Sequence, residues 1–229
     1  MGIQKIKIIE KYNDSLSAVY DRATLGEFKW TAPAAANDIV LPYVKAGSTV
    51  LDVGIGTGQS AEELLKKGCK ICGIDISQKM LEATKKKFPN FELYKADLED
   101  GLPELAGRSF DLITAIGILE FVEDIDKTIG VLTGFLKPSA LLCFTFEEYL
   151  PKHKIQRWKK SEIGRGIVDP LPELLTFLNY RHTPTEIKIL LANHRLKLLK
   201  TKRFQAYLKS KEKIPIYYTL MLARKVDAL

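Results

Sequence analysis

Residues 49–58 read TVLDVGIGTG, an apolar run that ends in three glycines at alternate positions, Gly54, Gly56 and Gly58. The run reads as a buried strand, and SAEELLKK at 60–67 follows with Ala61, Leu64 and Leu65 on one face of a helix that Gly68 stops. A strand that turns into a helix through glycines marks a place where something comes closer to the backbone than a Cβ allows. In a dinucleotide site the third glycine falls three positions after the second. That position is Gln59 here, and the spacing is G-x-G-x-G, which disfavours a nicotinamide dinucleotide.

Outward from this unit, apolar runs keep alternating with helical patterns. KICGIDI (70–76) reads as a second strand, with Ser77 capping a helix that carries Met80, Leu81, Thr84 and Phe88 on one side. NFELYKAD (90–97), SFDLITAIG (109–117) and SALLCFTFEEY (139–149) give three more strands, with a helix over about 124–136 before the last. This rhythm predicts an α/β fold, an open parallel sheet covered on both faces, with its ligand at the strands' carboxyl ends. Residues 150–183, with Pro151, Pro170 and Pro172, read as an irregular or helical insertion. A helix starting near Thr183-Pro184, a strand or pair of short strands in LKLLKTKRFQAYL, and a last strand in IPIYYTLMLAR complete the chain.

The 229 residues are 46% hydrophobic and 28% charged, ordinary for a globular protein, and no apolar run approaches the ~18–20 residues of a membrane span. The start MGIQKIKIIEKY lacks the continuous apolar core of a secretory signal, so a cytoplasmic location is expected. Cys69 and Cys72 form a C-x-x-C, but on a strand residues three apart face opposite ways. With Cys143 they are read as reduced, buried thiols, and no metal is expected. The net charge of +7 is uneven: residues 1–150 hold 17 Lys/Arg against 22 Asp/Glu, whereas 151–229 hold 18 against 6.

LDVGIGTG (51–58), followed by GIDIS (73–77) and ADLED (96–100), resembles the class I S-adenosylmethionine-dependent methyltransferases. The likeness is good over about 47–149 and plausible through 184–229, and it rests on order and spacing together. It implies a Rossmann-like fold: a mostly parallel seven-stranded sheet with helices on both faces and an antiparallel C-terminal strand. It also implies S-adenosyl-L-methionine as cofactor, bound over Asp52, Gly54, Gly56, Thr57 and Gly58. By the same resemblance Asp75 accepts from the ribose hydroxyls, Asp97 and the backbone at Leu98 read the adenine, Ile76 and Met80 sandwich it, and Ile116 stands where donor and acceptor meet. Read from the residues alone, Asp75 is alternatively a helix-start charge, Asp97 part of a solvated acidic turn, and Met80 core filling.

Many relatives carry a histidine after Leu-Glu, where this chain has Phe121 after Glu120. The candidates for handling a proton are therefore Glu120, Tyr149 and His182, with His153 beside them. Each has an ordinary alternative, such as a solvated charge, a rim aromatic or a cap contact. Tyr12, Tyr20, Phe28 and Trp30 fall in KYNDSLSAVYDRATLGEFKWTAP (11–33), which loosely resembles a closing N-terminal helix of related enzymes. Packing on the sheet edge is the alternative.

The expected organisation is one domain over 1–229: an N-terminal lid (1–46), a cofactor-binding core (47–149), an insertion contributing to the acceptor pocket (150–183) and a C-terminal helix with strands (184–229). The expected function is methyl transfer to a small-molecule acceptor, with Trp158 supplying apolar surface and the basic insertion lining an entrance for it, acidic acceptors included. Two alternatives stay open. KHKIQRWKK (152–160) and LKTKRF (199–204) could guide the nucleic acid of an RNA methyltransferase, or the chain could bind the cofactor without turnover.

Overall fold

The computed structural model describes residues 2–27, 29–163, 177–209 and 212–226. The chain enters through α1 (Gly2–Leu16), the single-turn α2 (Tyr20–Arg22) and α3 (Ala32–Val40). Strands and helices then alternate as β1 (Thr49–Val53), α4 (Glu62–Lys66), β2 (Lys70–Asp75), α5 (Gln78–Lys87), β3 (Glu92–Lys95), β4 (Phe110–Ala115), α6 (Ile125–Gly134) and β5 (Leu136–Glu147). After these come β6 (Lys160–Ile163), β7 (Phe177–Tyr180), α7 (Pro184–Asn193), β8 (Leu196–Lys209) and β9 (Ile214–Lys225).

Seven strands form one sheet in the order β3-β2-β1-β4-β5-β9-β8. β1 to β5 pair in parallel, while β9 runs antiparallel between β5 and β8. Parallel strands are buried on both faces, which is why they read as continuous apolar runs. Val50 and Leu112 pack with Ala36, Val40 and Leu64 on one side. Leu51, Val53 and Ile113 pack with Ile129, Leu132, Ile187 and Leu191 on the other. From β1 the chain turns one way to β2 and β3, then returns to place β4 and β5 on the opposite side. The reversal leaves a crevice at the carboxyl ends of β1 and β4, where sheets of this kind take ligands.

Helix starts follow their caps. Ser77 Oγ accepts from Met80 N at 3.1 Å, Asp124 accepts from Lys127 N, and Thr183 with Glu186 closes a full capping box on α7. Cys69, Cys72 and Cys143 are free and buried, and burial pushes the Cys72 thiol up to about 11.

Two expectations need correction, and a third, one strand or two short ones in LKLLKTKRFQAYL, is settled as one. The described part of the insertion is neither shapeless nor helical: turns over 151–157 lead into a two-stranded antiparallel ribbon of β6 and β7. Its Pro170 and Pro172, like Phe28 of the N-terminal segment, lie outside the described residues. β8 is one 14-residue strand with two register shifts, because β9 beside it offers an unbroken partner. Leu65 is 38% exposed, so only Ala61 and Leu64 of the first helix face the core.

Candidate functional site

The three glycines of the opening loop do different jobs. Gly54 and Gly56 have φ of +67° and +55°, a region that side-chain-bearing residues enter at a cost. A Cβ on Gly54 would meet Ile118 Cγ2 at 2.2 Å, whereas one on Gly56 would meet nothing closer than Gly54 O at 4.0 Å. Gly56 therefore faces open space, and that space is a cavity. Gly58 is packed instead against Phe88, whose ring would lie 2.7 Å from its Cβ.

The cavity, of about 190 Å³, opens at the ends of β1, β2 and β4. One end is formed by Gly56, Asp75, Ile76, Met80, Asp97 and Leu98. Asp75 ends β2 and is 8% exposed; its two oxygens accept from Gly56 N and Ser77 N, each at 2.8 Å. Burial raises its pKa to about 6, offset in part by these backbone N–H groups. Asp97 Oδ1 accepts from Glu99 N at 2.9 Å, which holds the turn after β3.

The other end is aromatic and acidic. Ile116, Gly117 and Ile118 carry the chain off β4 to Glu120, which is 4% exposed. Glu120 Oε1 accepts from Tyr218 Oη at 2.6 Å, and Oε2 is buried with no hydrogen-bond partner. Burial raises this carboxyl to about 7, against the lowering effect of the Tyr218 hydrogen bond. Trp30, Tyr207 and Tyr218 pack on one another with ring centroids 5.4–6.2 Å apart, and all three line the cavity. Trp30 also lies over Gly117, where a Cβ would come within 2.7 Å of its ring.

The N-terminal segment covers the cavity. Ile9, Tyr12, Leu16 and Tyr20 line it, and Tyr12 and Leu16 pack with Met80. Carboxylates fasten this cover at three points. Asp14 accepts from Ser77 Oγ (2.6 Å) and from Lys79 N; Asp21 accepts from Thr57 Oγ1 (2.5 Å) and Gln59 Nε2 (2.8 Å) and pairs with Lys87; Glu10 pairs with Lys95.

Residues 51–144 match the family model described as "Methyltransferase domain". The chain is 30% identical over 139 residues to a demethylmenaquinone methyltransferase of Tropheryma whipplei, covering 58% of this chain and 56% of that one. It is 31% identical over 171 residues to an uncharacterized protein of Haemophilus influenzae, covering 66% of each. Among solved structures, a magnesium protoporphyrin IX methyltransferase of Synechocystis with bound S-adenosylmethionine has the same fold, at a TM-score of 0.67 and 17% identity over 96% of this chain and 97% of that one. Residues 51–144 belong to the methyltransferase domain family, within a fold shared with S-adenosylmethionine-dependent methyltransferases. The match to the curated relatives spans about half to two thirds of their length, so what it shows is the family and not an acceptor.

Several residues expected in the methyltransferase site stand outside the cavity. Asp52 is 1% exposed and accepts from Ser60 Oγ at 2.6 Å and Thr114 Oγ1 at 2.8 Å, tying the loop helix to β4. It points away because alternate residues of β1 face opposite sides of the sheet. Thr57 is spent on Asp21, and Gly58 on Phe88. Tyr149 and His182 join the insertion to the end of β5: Tyr149 N donates to His182 O at 2.9 Å, and His182 N to Glu147 O at 3.3 Å. The His182 imidazole is held below its ordinary pKa by burial and lies against Phe146. His153 caps a turn, accepting from Gln156 N at 3.0 Å. Trp158 is 58% exposed beneath Arg157 and is not part of the cavity wall.

The described residues of the basic insertion do not line the cavity either. Lys154, Lys159 and Lys160 pair with Glu212, Glu186 and Glu123, because acidic groups of neighbouring elements stand opposite them. Conversely, reading the sequence misses Tyr207 and Tyr218. Their signal is faint: hydroxyl-bearing rings on the inward alternation of two C-terminal strands.

Proposed function

We propose that the protein transfers the methyl group of S-adenosylmethionine to a small-molecule acceptor, with the cofactor held at the Gly56–Asp75–Asp97 end of the cavity and the acceptor at the Glu120 end. The observation that carries this reading is the single cavity joining the two ends, floored by a glycine with open space where its side chain would be. The residues fit the cofactor. Asp75 keeps lone pairs on both oxygens for ribose hydroxyls, Ile76, Met80 and Leu98 offer apolar faces for a purine, and Asp97 stands beside them.

When bound, the cofactor supplies a methyl carbon already activated by a sulfonium. What the chain contributes is position and dryness. The N-terminal segment, read as a lid, excludes water with Tyr12, Tyr20 and Trp30, and Glu120 receives a proton at Oε2 where the acceptor requires it. We assign the whole chain to one domain with these parts, and a cytoplasmic location; among the described residues no helix is long and apolar enough to cross a membrane.

The RNA reading is weaker on this geometry, since three lysines of the stretch that would follow a phosphate backbone, Lys154, Lys159 and Lys160, are engaged with glutamates. Calorimetry with S-adenosylhomocysteine, followed by a screen of metabolites and total RNA with methyl-labelled cofactor, tests the proposal. Binding together with label in a small molecule supports it; label in RNA alone, or binding with no transfer to any acceptor, favours one of the alternatives.

A further inference from the structure

Among the described residues, the cavity wall holds four carboxylates, Asp75, Asp97, Glu99 and Glu120, and no lysine, arginine or histidine. Under the proposed function, Asp75 and Asp97 belong to the cofactor end, and Glu99 turns to the 120s loop, where its Oε1 accepts from Glu123 N at 3.1 Å. Glu120 is left as the carboxylate of the acceptor end. Its Oε2 is buried without a partner, and Trp30, Tyr207 and Tyr218 stand around it.

We infer that the acceptor is an amine, entering as its ammonium ion, with Glu120 as its counter-charge and the Trp30–Tyr207–Tyr218 cluster as its aromatic wall. This inference rests on the methyltransferase reading of the same cavity. A buried carboxylate without a cation is costly, and an entering ammonium supplies both the missing charge and a donor for Oε2. Ring faces attract the same charge. A carboxylate or phosphate acceptor would put a second unpaired negative charge beside Glu120. A neutral alcohol would donate one hydrogen bond and leave the charge uncompensated.

The chemistry balances with the groups in place. Glu120 Oε2 takes a proton from the ammonium, freeing the nitrogen lone pair. The nitrogen then forms its bond to the methyl carbon as the carbon–sulfur bond breaks, and that bond's electron pair stays on sulfur. The products are the methylated ammonium, neutral S-adenosylhomocysteine and a protonated Glu120 that releases its proton to water. Glu120 is thus both anchor and base, and the absence of a histidine after Leu-Glu leaves no gap in the sequence of steps.

The test uses Trp30 as reporter. The chain has two tryptophans, and Trp158→Phe removes the exposed one, which lies outside the cavity. In that background, Trp30 fluorescence is titrated with benzylamine, benzyl alcohol and benzoate, and S-adenosylhomocysteine binding is measured by calorimetry on the same protein. Benzylamine should saturate the signal at a concentration at least tenfold below benzyl alcohol, with benzoate weakest. Glu120→Gln, which can still accept from Tyr218, should erase the amine's advantage while keeping cofactor affinity. Equal or tighter binding of the alcohol or benzoate, an advantage that survives Glu120→Gln, or no saturable response to benzylamine in protein that binds S-adenosylhomocysteine would each overturn the amine assignment. Loss of S-adenosylhomocysteine binding in the unmutated chain would instead overturn the methyltransferase reading beneath it.

Discussion

The two ends of the cavity are built by opposite strategies. The end assigned to the cofactor comes from a continuous stretch, Gly54 to Leu98, in which Gly56, Asp75 and Asp97 stand at or just past the ends of β1, β2 and β3 and Met80 lies in the first turn of α5. The acceptor end is assembled from Trp30, Glu120, Tyr207 and Tyr218; Glu120 and Tyr218 are bonded to each other across 98 residues of chain. A local site is written in spacing; a distributed one is written in the register of the sheet. Antiparallel β9, set between β5 and β8, carries Tyr218 to Glu120, and Phe204 to Gln205 of β8 pair with it at Tyr218 and Tyr217.

The largest expected effect lies where the insertion is anchored to the end of β5. Arg181 Nε donates to Glu147 Oε1 at 2.5 Å, both side chains are almost fully buried, and Asn179 Nδ2 donates to the other Glu147 oxygen at 2.6 Å. Arg181→Ala leaves a buried carboxylate with one neutral donor, and should destabilise the fold by about 3–5 kcal/mol in urea denaturation. A loss below about 1 kcal/mol would mean that the Glu147 carboxylate finds other compensation and that this anchor does not hold the fold.

At the cofactor end, two glycines two positions apart should fail differently. Gly56→Val should abolish S-adenosylhomocysteine binding in calorimetry, because the side chain enters the cavity and the positive φ opposes it. Gly58→Val should instead lower the melting temperature, as its bulk meets the Phe88 ring. The reverse pattern would contradict the division of labour in the loop. Next in size, Asp75→Ala should weaken cofactor binding by ~1.5–3 kcal/mol while the chain remains folded, since the ribose hydroxyls lose a charged acceptor. Unchanged affinity would refute the ribose assignment.

The smallest effect sharpens the acceptor end. Burial raises Glu120 from 4.5 to about 7, so the folded chain binds this proton more tightly than the unfolded chain does. Its contribution to stability is then full below about pH 4.5 and is lost as pH rises through about 7. Glu120→Gln removes the ionisation, and should stabilise the ligand-free protein by on the order of 1 kcal/mol at pH 8 with little effect at pH 5. Thermal melts at the two pH values check this; a variant less stable at pH 8 would show that the carboxylate is compensated after all.

How far the molecule can be read from its sequence follows the same division. β1, β2, β4 and β5 are legible because strands buried on both faces become continuous apolar runs, whereas β3, ELYK at the sheet edge, is legible only from its place in the alternation; the α7 start is legible because Thr183 and Glu186 form a capping box. That Asp52 stands outside the cavity is not legible, because the sequence places a carboxylate beside the loop without saying which face of β1 it occupies; its partners Ser60 and Thr114 are visible only once β1 and β4 pair. Tyr149, His182 and Trp158 stand outside the cavity wall, because a residue type able to handle a proton or offer apolar surface does not by itself say which way the fold turns it. Asp21, which ties the N-terminal segment to Thr57, Gln59 and Lys87, carries no signal of its own in a polar stretch.

The central claim is that one cavity holds cofactor and acceptor end to end. A crystal structure of the protein with S-adenosylhomocysteine tests it most directly. The account predicts the ribose on the Asp75 carboxylate, the purine between Ile76 and Leu98, and the homocysteine sulfur turned toward Glu120 and Trp30. Density for the ligand elsewhere, or in this cavity with its sulfur turned away from Glu120, would contradict it.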